Sequence, residues 1–239
     1  MRLGKNLLFA ATIALALLPV RAAFAAPSND KELESVLSRM DAAAANFHST
    51  QADFEFDSVT TDPIPDKDVQ QGSVYYERTG KQFQMAAHIR EFNGKPAPKV
   101  YAYSNGVLKL YEKGIDQVTT FAKAGKYESY LMLGFGASGK ELEQKWDVKY
   151  LGSEVLMDGK TRVKTEKLEL VAKDPAVRKN IPKVTVWIDP ERAVSLKQVF
   201  DEGPGQYRVS VYFNIKTNQS LPSNAFTLDT DRQTQYVNR

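Results

Sequence analysis

From Gln51 onward the apolar residues of this chain fall into step with a period of two and keep it, between turns, almost to the end. Phe54 and Phe56 alternate with Asp53, Glu55 and Asp57, and Phe83, Met85, Ala87 and Ile89 alternate with Gln82, Gln84, Ala86 and His88. Tyr207, Val209, Val211, Phe213 and Ile215 alternate with Arg208, Ser210, Tyr212, Asn214 and Lys216. Shorter segments of the same kind near residues 74–77, 100–103, 107–111, 118–121, 146–151, 162–172, 184–188 and 194–200 bring the total to about eleven strands. Asn93-Gly94, Asn105-Gly106, Asp158-Gly159 and Gly203-Pro204-Gly205 supply turn residues that accept positive φ, so the strands should run as an antiparallel meander. Pro63 and Pro65 exclude a central strand from the loop around residues 62–66.

Two stretches break the period. Asn29 with Glu32 has the form of a capping box, and Leu33, Val36, Leu37, Met40, Ala43, Ala44 and Phe47 follow at helical spacing, which predicts one amphipathic helix ahead of the sheet. Between Phe121 and Trp146 lies an insert. Tyr127, Tyr130, Leu131, Met132, Leu133 and Phe135 make a short segment that is apolar nearly all round, and Ser138 with Glu141 predicts a second capped helix. Gly125, Gly134, Gly136 and Gly139 are expected to loosen this insert. No linker separates two domains, so residues 26–239 read as a single one.

Residues 1–25 read as an exported leader. Arg2 and Lys5 precede an apolar run from Leu7 to Val20, and Ala23-Phe24-Ala25 supplies a cleavage pattern. The formal charge of the whole chain is +3. Arg2, Lys5 and Arg21 account for all of it, and what remains carries 29 acidic and 29 basic residues. An electrostatic footprint for nucleic acid needs a basic excess, and there is none. The chain has no cysteine, which removes disulfides, thiolate metal sites and a lipid-modified N-terminal cysteine together. The expectation is a free periplasmic monomer, cleaved near Ala25.

No motif marks an enzyme, a metal site or a cofactor. The Gly134–Lys140 stretch matches a dinucleotide or phosphate-loop pattern, but a helix-like segment precedes it where a parallel strand is needed, and Glu141 stands where a magnesium-binding hydroxyl belongs. His48 and His88 are far apart in sequence, with surface or helix-end roles as the default. An antiparallel sheet of this size must either close on itself or curl into a half-barrel beneath a helical lid. In the second case Phe54, Phe56, Tyr76, Phe83, Met85, Leu110, Tyr130, Leu131 and Leu133 would line an apolar cavity. Periodicity alone leaves that case level with a solid core.

Several short motifs, in order, resemble the outer-membrane lipoprotein carrier (LolA-like) family. They are Phe47-His48-Ser49 with Ala52-Asp53-Phe54, then residues 72–78 ending in Arg78, then Ser104-Asn105-Gly106 running into Leu110-Tyr111 and Gln117-Val118-Thr119. Val186-Trp187-Ile188-Asp189, and Asn218, Leu221-Pro222 and Phe226, complete the series, which spans residues 30–230. The resemblance implies the half-barrel, a cavity that receives acyl chains, and a strand arginine, Arg78, that bonds the lid in the empty state. It also implies partners: acylated lipoproteins or lipid, an inner-membrane ABC lipoprotein-release complex and an outer-membrane acceptor. Thr79 replaces the family's usual proline, and Glu77 its usual basic residue. A lipid- or glycolipid-binding sensor of the same fold that does not shuttle is the second reading, and an envelope hydrolase the third.

Overall fold

The amphipathic stripe at the start of the chain forms α1 (Asn29–Ala45), with Val36, Leu37, Met40 and Ala44 buried. Phe47, just past its end, is buried as well. The fold was obtained as a computed structural model that describes residues 29–80 and 82–239, so the expected leader lies outside the described residues. Six strands follow α1: β1 (Ser49–Thr60), β2 (Asp66–Thr79), β3 (Gln82–Phe92), β4 (Lys95–Ser104), β5 (Val107–Glu112) and β6 (Gln117–Phe121). The insert holds α2 (Glu128–Leu131) and α3 (Gly139–Lys145). A second run then comprises β7 (Trp146–Asp158), β8 (Thr161–Ala172), the short α4 (Pro175–Arg178), β9 (Lys183–Asp189), β10 (Val194–Gly203) and β11 (Gln206–Thr217), and β12 (Gln235–Asn238) ends the chain.

Each run is an antiparallel meander, and β11 pairs with β1 to join the two into one twelve-stranded sheet. Its order is β12-β6-β5-β4-β3-β2-β1-β11-β10-β9-β8-β7. The sheet does not close, and β12 and β7 are its edges. The sequence shows about eleven strands by period. The twelfth, β12, pairs parallel with β6 and is four residues long with three of them exposed, too short and too polar to show a period.

Topology fixes where the insert lies. It leaves β6 beside one edge of the sheet and must enter β7 at the other, so it crosses the concave face. Irregular registers at Gln51/Asp53, Ile89/Glu91, Tyr150/Gly152 and Ser195/Lys197 add curl to the sheet. The curl brings the β7–β8 hairpin tip back to β11, where Asp158 accepts a hydrogen bond from the Ile215 amide at 2.9 Å and pairs with Arg192 at 2.9 Å. The result is an unclosed half-barrel with helical cover. One apolar cluster packs α1 against β8 and β9 through Val36, Leu37, Met40, Leu168, Leu170, Val184 and Val186. A second fills the concave side of β1 to β4 beneath the insert.

The insert is not loose. Ser138 and Glu141 cap α3 reciprocally, at 3.1 and 2.9 Å. The glycines before α3 permit close approach: a Cβ at Gly136, whose φ is +73°, would lie 2.3 Å from the Phe47 ring, and one at Gly139 would lie 2.4 Å from the Leu37 carbonyl oxygen. Both glycines are buried, so they pin the insert to α1 rather than loosening it.

The segment after β11 returns to the β6 edge along the other face. His88, on the opposite side of β3 from Met85 and Ala87, bonds the buried Ala225 carbonyl through Nε2 at 2.8 Å and meets Tyr75 edge-on at 5.2 Å. His48 is exposed at the α1–β1 junction. Among the described residues no group of three or more His, Cys, Asp or Glu is placed to hold a metal ion.

Candidate functional site

The register of β1, β11 and β10 lays side chains in rows across the concave face. Phe54 stands opposite Tyr212, Phe56 opposite Ser210 and Ser210 opposite Gln198; one row further out, Arg208 stands opposite Phe200. Val74 and Tyr76 of β2 and Met85 and Ala87 of β3 extend the floor, and Tyr130, Leu131 and Leu133 of the insert close over it. Ile181 completes the wall of a cavity of about 220 Å³. Its inner end is buried at Phe54, Tyr76, Leu133, Gln198 and Tyr212, and its outer end is half-buried at Phe56, Leu131, Ile181, Phe200 and Arg208.

The structure places Phe54, Phe56, Tyr76, Met85, Tyr130, Leu131 and Leu133 around this cavity. Phe83 and Leu110, expected there, lie elsewhere. Phe83 is buried in filled core, with its ring 6.0 Å from Tyr76 and 6.1 Å from Tyr103. Leu110 sits on β5, beyond the strands that border the cavity.

The sequence reading missed Arg208, Ser210, Tyr212, Gln198 and Phe200, and β11 shows why. Its alternation is real, but the set that faces the cavity is the more polar one, Arg208, Ser210 and Tyr212, while Tyr207 is exposed and Val209, Val211 and Phe213 are half-buried. A bulge at Asn214, whose φ is +54°, then turns Ile215 inward. Strand period shows that two faces differ, and only the neighbouring strands decide which of them is inside.

The inner end is polar but uncharged. Burial pushes the Tyr76 hydroxyl well above its ordinary range, reinforced by Tyr212. Burial also raises the Tyr212 hydroxyl, to about 12, against the opposing hydrogen bonds with Ser210 and Tyr76. Both remain neutral hydrogen-bonding groups at neutral pH, so the cavity floor carries no charge that would oppose a hydrocarbon chain.

The lid is fastened at residues 133–136. Gln198 Nε2 donates to the Leu133 carbonyl at 2.5 Å, the Ser195 amide to Gly134 at 2.6 Å and the Gly136 amide to Ala193 at 2.9 Å. Between these bonds Phe135 is fully buried, stacked on Tyr76 at 4.1 Å and edge-on to Tyr212 at 4.8 Å. A second attachment holds the start of α2, where the buried Tyr103 hydroxyl donates to Glu128.

Arg78 also reaches the lid, but not its carbonyls. Its guanidinium lies 3.5 Å from the carboxylate of Glu141, half-exposed on α3. A pair at this separation with its carboxylate half in water is worth about 0–1 kcal/mol. Arg78→Leu should therefore lower the unfolding free energy by no more than about 1 kcal/mol in urea denaturation; a much larger loss would mean the guanidinium holds more than Glu141.

A larger trough, about 650 Å³, lies on the far side of α2 and α3, with Leu133 common to both spaces. Glu128, Glu141, Lys145, Lys173 and Asp174 line it alongside apolar groups, so it offers mixed charge and no continuous greasy wall.

No protein-family model matches the chain, and no curated protein sequence does. Solved structures similar to it include an uncharacterized conserved protein from Thermus thermophilus, at 12% identity and TM-score 0.53, covering 87% of this chain and 99% of that one. A putative outer membrane lipoprotein-sorting protein domain from Vibrio parahaemolyticus is similar at 13% identity and TM-score 0.44, covering 84% and 97%. A LolA superfamily protein from Nitrosomonas europaea is similar at 15% identity and TM-score 0.39, covering 82% and 98%. The likeness to the Thermus thermophilus structure is one of fold. At such identities the likeness is one of chain path, and the chemistry of the cavity has to be argued from this chain's own side chains.

Proposed function

We propose that this chain is a periplasmic lipid-binding module that takes acyl chains into the cavity beneath its insert and carries acylated lipoproteins between membranes. The observation that carries this reading is the cavity itself: large apolar side chains from β1, β2, β3, β10 and the insert converge on a space they do not fill. Each buried CH₂ of a bound chain is worth about 0.8 kcal/mol. Ligand pockets commonly measure about 300–1,000 Å³, so a cavity of about 220 Å³ belongs to a closed form. Loading a lipoprotein with two or three chains requires the insert to move.

In this reading Arg78 latches α3 through Glu141, and the heavier restraint is Phe135 with its three flanking hydrogen bonds. Delivery then proceeds from an inner-membrane ABC release complex to an outer-membrane acceptor. The firm anchoring of the insert favours a second reading, a module that binds lipid and holds it as a sensor. Vesicle-to-vesicle transfer of a labelled lipoprotein separates the two.

Among the described residues no helix is long and apolar enough to cross a membrane. Protein isolated from periplasm and measured by native mass spectrometry should carry acyl-chain adducts and lose them on delipidation. Consistently empty protein that also fails to bind a fluorescent fatty acid would overturn the lipid-binding reading.

A further inference from the structure

The outer end of the cavity holds a cation in an otherwise greasy wall. Arg208 stands on the cavity-facing side of β11, with its guanidinium carbon 5.8 Å from the Phe56 ring centre and 5.6 Å from that of Phe200. The two rings hold the guanidinium at the mouth by cation–π attraction. Its Nη2 pairs with Glu202 across the β10–β11 hairpin. Its Nε is buried and has no hydrogen-bond partner. A buried N–H of a charged group without an acceptor keeps a desolvation cost that a bound acceptor would recover. Two residues along the same face, the buried Ser210 begins the polar row that leads inward to Tyr212.

We infer that this site takes a single-chain amphiphile with an anionic head group, the chain in the cavity and the head on Arg208. The inference rests on the proposed lipid-binding function and names the ligand class within it. With the insert in place, the volume of about 220 Å³ leaves room for one chain and not for the two or three of a lipoprotein. Planar guanidinium donors match carboxylate and phosphate alike, since both are compact anions that present a pair of oxygens to the fork. Glu202 competes for the same fork, so the bound head displaces or shares it.

Displacement of the neutral probe N-phenyl-1-naphthylamine by laurate, dodecyl phosphate and dodecanol, each below its aggregation limit, tests this. The wild-type chain should bind one or both anions at least about tenfold more tightly than dodecanol, which corresponds to about 1.4 kcal/mol. Preference for laurate identifies a fatty carboxylate, and preference for dodecyl phosphate a phosphate head. Arg208→Gln should bind all three equally, at the affinity of dodecanol. Glu202→Gln should bind the anions several-fold more tightly, a gain that a merely structural role for the pair would not produce. Equal wild-type binding of all three, or anion preference retained in Arg208→Gln, would overturn the head-group inference while leaving chain binding intact. Failure of all three to displace bound probe would overturn the lipid-binding function and the inference together.

Discussion

Phe135→Ala is expected to lower the unfolding free energy by about 3–5 kcal/mol, the range for removing a fully buried phenylalanine from close packing. The side chain has no exposed surface, and its ring meets Tyr76 and Tyr212, so the loss combines apolar burial with two aromatic contacts worth about 0.5–1.5 kcal/mol each. The cavity it leaves would open directly onto the existing one, because Tyr76 and Tyr212 line both. Two readouts should therefore move in opposite directions. Urea denaturation should shift to lower midpoint, and uptake of a fluorescent fatty acid should become faster because the insert has lost its bolt. Proteolysis within residues 122–145 should accelerate as well. A stability loss below about 1 kcal/mol would show that the lid is fastened elsewhere.

Glu166→Ala should have the next largest effect, about 2–3 kcal/mol, somewhat below the range for breaking a fully buried pair. Glu166 is 2% exposed, and its carboxylate receives Arg39 of α1 at 3.1 Å, Tyr150 at 3.0 Å and Ser153 at 2.7 Å, with Lys164 at 3.5 Å. Removal breaks the polar tie between α1 and β8, whose apolar packing remains, and leaves these donors facing a hole. Arg39 is about one-third exposed and also reaches Glu191, so part of its charge stays solvated, which keeps the loss from being larger. Burial by itself would raise the Glu166 pKa, but the hydrogen bonds from Ser153, Arg39 and Tyr150 and the charge of Lys164 outweigh it and hold the carboxyl below its ordinary value. A carboxyl depressed in the folded state contributes stability that is complete above the unfolded-chain value of about 4.3 and is lost as pH falls through the lower folded value. The stability difference between wild type and variant should thus be constant near neutrality and shrink below about pH 4. A difference that persists unchanged to pH 3 would assign the loss to packing instead of charge.

The two variants probe different attachments of the same cover. Glu166 and Arg39 tie α1 to the second meander, and Phe135 fixes the insert to β2 and β11 at the centre of the sheet. The Arg78–Glu141 pair, to which the family resemblance points first, is the weakest of these attachments because its carboxylate is half in water. Under the proposed lipid-binding function, a lid held mainly by an aromatic bolt would exchange one apolar occupant for another on chain entry, so its opening cost and the binding energy of the chain would be of the same kind.

Much of this architecture was legible from local pattern. The switch of period at Gln51 marks where helix gives way to strand, because side-chain direction repeats every 3.6 residues in one and every two in the other. The Asn-Gly and Asp-Gly turns mark the meander, and the Ser138–Glu141 spacing marks the α3 cap. These are properties of residues close in the chain, and so are seven of the nine expected wall residues, which are large and apolar on strands or on the insert. Two features were not legible in this way. The glycines of residues 134–139 have the composition of a loose loop, yet they allow contact closer than any side chain permits with Phe47 and Leu37, partners about a hundred residues away. Arg208 and Ser210 occupy the polar half of their strand, so nothing local marks them as facing the cavity.

The sequence by itself determined that the chain would be an antiparallel sheet with one helix before it and one insert within it, because turn chemistry and period are local. Tertiary structure alone decided which face of β11 lies inside, where the insert is bolted and that a cation stands at the cavity mouth. Each of those depends on strand order and sheet curl, which bring β11 between β1 and β10, and on pairings across more than a hundred residues that no local pattern encodes.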